Sequence, residues 1–136
     1  MRDQWRVPVT IASVLRLSYG LGSVLAPEWM AAKRLAPTLR NHPDPRMNLR
    51  GFGGCQSGIA LYTLATAQDR APARSVLRLN ALVDTFDAGV SMLEIRDRGG
   101  VDTVAEGGVA FNVLLLGMWT AAAVALRDSG LDEGTS

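Results

Sequence analysis

Apolar residues fall into four long blocks, separated by short stretches dense in charge, proline and glycine. The first block runs from Val7 to Ala26 and stops at Pro27. The second runs from Met47 to Ala67, the third from Pro72 to Ile95 and the fourth from Thr103 to Leu126. Each is too long for a strand and carries helix punctuation. Asp44-Pro45 reads as a cap followed by proline in the first turn, and Asp69 with Pro72 opens the third block. Gly99-Gly100 closes that block. Thr103 and Glu106 have the spacing of a capping box, in which hydroxyl and carboxylate satisfy orphan amides. Between the first two blocks, Pro27 to Leu35 reads as a short amphipathic connector helix. Trp29 and Met30 dip inward there, while Lys33 and Arg34 stay in water. An ordinary surface helix is the alternative.

The polar residues inside the blocks follow a helical period. Ser13, Arg16, Gly20 and Ser23 make one stripe on the first, and Asn80, Asp84, Asp87 and Ser91 make another on the third. Arg50, Gly54, Ser57 and Leu61 are aligned on the second, and Ala110, Gly117 and Ala121 on the fourth. Small and polar residues on one side, with large apolar residues elsewhere, is the pattern of helices packed within a bilayer. Gly107 to Leu126 carries no charge, nor does Gly51 to Ala67. A lipid-spanning helix needs about 20 mostly apolar residues. Arg16, Asp84 and Asp87 interrupt the other two blocks, each at a cost of about 2.5–3.5 kcal/mol unless turned inward. Gly51, Gly54 and Gly58 fit close helix packing, within the chain or between two copies.

The expected fold is therefore all-α: an antiparallel four-helix transmembrane bundle over residues 1–127, with the short amphipathic connector helix and a flexible polar tail at 128–136. The expected location is the cell membrane, multi-pass. The apolar start resembles a signal peptide, but Arg16 interrupts it, so a retained first helix is expected. The competing fold reading is a soluble all-α domain that binds a hydrophobic ligand or assembles with itself.

Composition narrows the chemistry. Fourteen basic and 13 acidic residues leave a net charge of +1, which gives no field for a nucleic-acid partner. Cys55 is the single cysteine, so there is no disulfide framework or CxxC pair. His42 is the single histidine and sits in a proline-rich connector, so no metal site and no cofactor are expected. Gly51-Phe52-Gly53-Gly54 lacks the strand before it and the Gly-Lys-Ser/Thr after it that a phosphate loop requires. Basic residues divide almost evenly between the two ends of the four blocks, so charge does not set an orientation. Trp5, Trp29 and Trp119 are expected as interface anchors.

The candidate site is the polar set within the blocks: Arg16, Arg50, Gln56, Asp84, Asp87 and Asn112. Ionisable residues within a membrane domain mark a pocket or pathway, or else an internal ion-pair network that fixes helix register. Arg50 lies near a helix start and could snorkel to the interface instead. The leading function is an accessory membrane subunit or a binder of a small lipid-like molecule, with membrane lipid, another membrane protein or a second copy as partners. The alternative is a small proton-coupled carrier or membrane enzyme using Asp84 and Asp87.

Three segments together carry a resemblance: Arg16 to Gly20 leading into Leu25-Ala26-Pro27, then Leu49 to Gly58, then Val83 to Gly89. Over roughly residues 16–125 the chain resembles small bacterial four-helix membrane proteins of unknown function, distantly similar to DoxX-like proteins. In that group an Arg-x-x-Gly pattern opens the second helix and an acidic pair marks the third. The resemblance implies the architecture and a polar interior. The chain departs from the DoxX-like pattern at Cys55-Gln56, where a glutamate is usual, so a redox-linked role known for DoxX-like proteins is not carried over.

Overall fold

The computed structural model describes residues 4–34, 43–99 and 103–131, with side chains described except at 31–34, 43–45, 94, 98, 103–106 and 129–131. All regular structure among the described residues is helical. The helices are α1 (Arg6–Leu25), α2 (Pro27–Arg34), α3 (Pro43–Thr66), α4 (Arg70–Arg98) and α5 (Thr103–Leu131). The four blocks and the connector are all helices, with several boundaries moved, and α4 extends the third block at both ends. Helix α3 begins at Pro43, ahead of the expected cap at Asp44, and α5 continues to Leu131, so the start of the expected tail is helical. Residues 132–136, His42, and the capping roles of Asp44, Thr103 and Glu106 lie outside what is described, as do the side chains of Lys33 and Arg34.

The connections explain the punctuation. Pro27 opens α2 immediately after Ala26, whose N–H donates back to the Gly22 carbonyl at 2.9 Å. At the end of α4, Gly99 adopts φ 70°, the left-handed conformation that closes a helix and that a Cβ disfavours.

Helix α1 packs mainly on α3, and α4 on α5, with α1 also against α5. Arg6 reaches the Gln68 carbonyl, Arg16 reaches Gln56, and Gly20 lies against Gly53. Rising numbers on α1 thus meet falling numbers on α3, so the two run in opposite directions. The same holds for α4 and α5, where Asp84 meets Trp119 and Ser91 meets Gly108.

The interior is layered. One end holds an apolar cluster of Trp5 just ahead of α1, Val9 and Ala12 from α1, Ala73 and Leu77 from α4, and Leu115, Trp119, Ala122 and Leu126 from α5. A polar layer follows, and beyond it Met30 and Leu49 pack with Tyr19. Met30 turns inward as expected, while Trp29 on the same short helix is exposed. Large apolar side chains are exposed on every long helix: Val7 is 60% exposed on α1, Leu61 55% on α3, Phe86 66% on α4 and Val113 57% on α5. Two helices, Arg6–Leu25 and the stretch Gly107–Asp128, are long and apolar enough to cross a membrane by length and composition. The second block, charge-free over Gly51 to Ala67, is not one of them.

Two expectations about packing are corrected. A Cβ placed on Gly51, Gly54 or Gly58 meets nothing within 4 Å, so these glycines do not pack helices within the chain. The close approach is at Gly20 and Gly53, where a Cβ would come within 2.7 Å of Gly53 O and 2.6 Å of Gly20 O respectively. On α5, Ala110, Gly117 and Ala121 face outward, and Asn112, Leu115, Trp119, Ala122 and Leu126 face in. Polar side chains needing partners set the phase of these helices, and small residues did not.

Candidate functional site

The site begins with Arg16, on the third turn of α1 and fully buried. A guanidinium presents five N–H donors and has no useful neutral state, so an apolar interior must supply acceptors. The helical period supplies them. Asp84 projects from the buried stripe of α4 and forms an ion pair with Arg16 Nη2, with both side chains out of solvent. Gln56 comes from α3, and its Oε1 accepts from Arg16 Nη1 at 2.8 Å. The Gln56 amide then donates from Nε2 to Asp87 Oδ2 at 3.1 Å. One turn separates Asp84 from Asp87, so the two carboxylates meet Arg16 directly and through Gln56.

Trp119 completes the set. Its indole Nε1 donates to the second Asp84 oxygen at 2.6 Å, and its ring lies 5.9 Å from the Arg16 guanidinium carbon. Asp84 thereby receives hydrogen bonds at both oxygens. Trp119 is 1% exposed, which overturns its expected place as an interface anchor, and Trp5 is equally buried in the apolar cluster. Sequence reasoning had a signal for Trp119. Within the charge-free stretch Gly107 to Leu126, Asn112 and Trp119 are the only side chains with N–H donors. A buried carboxylate on the neighbouring helix needs one of them.

Below this set lies a second polar link that the sequence reading did not pair. Asn80 Nδ2 donates to Thr63 Oγ1 at 2.9 Å and to the Val76 carbonyl at 2.8 Å, joining α4 to α3. Arg50 is exposed near the start of α3 and does not join the network, in keeping with the snorkelling alternative.

A cavity of about 120 Å³ opens on the network. Gln56, Asp84, Asp87, Ser91 and Asn112 give it a polar side, and Tyr19, Phe52, Val90 and Phe111 give it an apolar one. The aromatic wall is packed on itself: Tyr19 and Phe111 have centroids 5.3 Å apart, and Tyr19 and Phe52 meet edge to face at 6.0 Å. Five of the six candidate site residues, Arg16, Gln56, Asp84, Asp87 and Asn112, thus lie at one place, with Arg16 behind the cavity wall. The division of labour is geometric. Asp84 is sequestered by Arg16 and Trp119, while Asp87 is half-buried and faces open space. No group of three or more metal-ligating side chains occurs among the described residues. No protein-family model matches the chain, and neither the curated proteins nor the solved structures contain a match.

Proposed function

We propose that the protein is an integral membrane protein, with α1, α3, α4 and α5 spanning the bilayer, that holds the polar group of a small amphiphile in the cavity beside Gln56, Asp87 and Asn112. The observation that carries this reading is the inverted distribution of polarity. Arg16, Ser13, Ser23, Thr63 and Asn80 are fully buried, while Phe86 and Val90 are 66% and 64% exposed. Water would favour the reverse arrangement, whereas a bilayer favours this one. Asp84 and Asp87 lower the mean hydropathy of α4, yet neither faces outward, and the exposed face between Leu79 and Leu93 carries no charge.

The cavity suits an amphiphile because its two sides differ in character. Polar acceptors and amides line one side, and Phe52, Val90 and Phe111 lead away from it on the other. The Arg16–Asp84–Trp119 unit serves as scaffold, holding Gln56 and through it Asp87. The test is to purify the full chain in mild detergent and identify co-purifying small molecules by mass spectrometry. An amphiphile retained by the parent protein and lost from Asp87→Ala and Asn112→Leu variants of unchanged helix content is the expected result. Recovery of bulk lipid alone, or equal retention by both variants, would overturn the reading.

A second reading, a small proton-coupled carrier, is favoured by the position of both carboxylates on one cavity. It predicts acid-driven uptake into proteoliposomes that Asp87→Asn abolishes.

A further inference from the structure

Away from the network, a groove of about 340 Å³ runs between the N-terminal half of α4 and the C-terminal half of α5. Its floor is apolar, with Ala81 and Ala123 at the surface and Leu77, Trp119 and Leu126 buried beneath them. Its rim is cationic. Arg74 and Arg78 stand one turn apart on α4, both exposed, and Arg127 lies across from them on α5. No carboxylate lines the groove among the described residues. The nearby Asp128 approaches Arg127 only at 3.7 Å, in a solvated pair that offsets little of the charge.

Three like charges around an apolar trough call for an occupant that is anionic at one end and hydrocarbon at the other. We infer that this groove binds one anionic phospholipid, its phosphate among the three guanidiniums and an acyl chain along the apolar floor at Ala81 and Ala123. Guanidinium groups suit phosphate because their planar donors match its oxygens in pairs. A free phosphate would use the rim and leave the apolar floor in water. The inference rests on the membrane-spanning reading of α5. In that reading Arg127 directly follows the charge-free stretch Gly107 to Leu126 and stands at headgroup level. Arg78 lies about 6 Å deeper than Arg74, within reach of the same level for a long side chain. Basic pockets between membrane helices bind anionic headgroups for this reason.

The test uses the full chain purified in nonionic detergent, titrated with short-chain phosphatidylglycerol or phosphatidylcholine and read by native mass spectrometry. Retention of phosphatidylglycerol over phosphatidylcholine is expected. The Arg74→Gln/Arg78→Gln pair should bind phosphatidylglycerol roughly thirtyfold more weakly, which corresponds to about 1 kcal/mol per arginine. Both positions are exposed, so the fold is kept, and circular dichroism verifies it. Arg96→Gln, at the far end of α4, should change nothing. Equal binding of the two lipids, or undiminished binding by the double variant, overturns the inference. So does complete displacement of the lipid by millimolar inorganic phosphate, which would mark a simple anion site. Whether the chain leaves membranes only with detergent is read separately, so failure of the membrane reading is distinguishable from failure of this one.

Discussion

A buried guanidinium makes the residue scale decisive. Arg16 has no access to solvent, so its cost is offset only while Asp84 and Gln56 hold it. Removing one member of a buried ion pair strands the other, at about 3–5 kcal/mol, whereas removing both restores a neutral interior. Asp84→Leu should therefore destabilise the protein by about that amount in thermal unfolding in detergent, and Arg16→Met/Asp84→Leu should recover most of it. A double variant as unstable as the sum of its singles would show that the pair is not coupled. Trp119→Phe keeps most of the ring volume and deletes the Nε1 donor, so its expected cost is about 1.5–3 kcal/mol, that of one hydrogen bond to a charged acceptor. A cost near zero in the same unfolding assay would remove the indole from the network. The charged part of this site was legible in the sequence, because an arginine and two aspartates within apolar blocks must turn inward and find one another. Trp119 was legible only as one of two N–H donors in its stretch, since a tryptophan in an apolar helix is as well suited to a membrane interface as to an interior. Arg50 went the other way: it is exposed and stays outside the network.

At the scale of the element, the order and extent of the helices could be read from proline, glycine and the apolar blocks, but the rotation of α3 and α5 could not. Small residues occur all around α3, so a rule that turns small faces inward has several answers. Gln56 and Thr63 select one, because each has a partner only if Gly53 and Ala60 also face in. The consequence is specific to adjacent glycines. Gly53→Ala would place a Cβ 2.6 Å from the Gly20 carbonyl and 2.7 Å from the Ser23 Cβ, contacts that require α1 and α3 to separate. A loss of about 1–3 kcal/mol in thermal stability is expected, in the range of overpacked interiors. Gly54→Ala points into open space and should cost nothing, with a gain of up to about 1 kcal/mol from helix propensity. If Gly54→Ala is the more damaging of the two, then the outer face of α3 is packed against a second copy or another protein, and purified protein should show it by size.

For the whole molecule the question is which solvent surrounds the apolar outside. Length and composition single out α1 and α5 as able to cross a bilayer, whereas the proposal that α3 and α4 also span rests on Gln56, Thr63, Asn80 and Asp84 facing in. A mean over a helix cannot register which way its side chains turn, and that is why the third dimension adds most to this reading. Cys55 reports on α3 directly, because it is the single cysteine and is exposed on the outer face twelve residues into the helix. In a bilayer that position lies in hydrocarbon, which a charged maleimide does not enter. In water the same thiol is open to reagent and reacts on the timescale of an ordinary surface cysteine. Intact membranes treated with a charged maleimide should therefore leave Cys55 unlabelled, and dodecyl sulfate should expose it fully. A second chain carrying Cys55→Ser and Ser136→Cys controls for access at the C-terminal residue. Rapid labelling of Cys55 without detergent would place α3 in water, and the apolar faces of the long helices would then have to be covered by another copy of the chain.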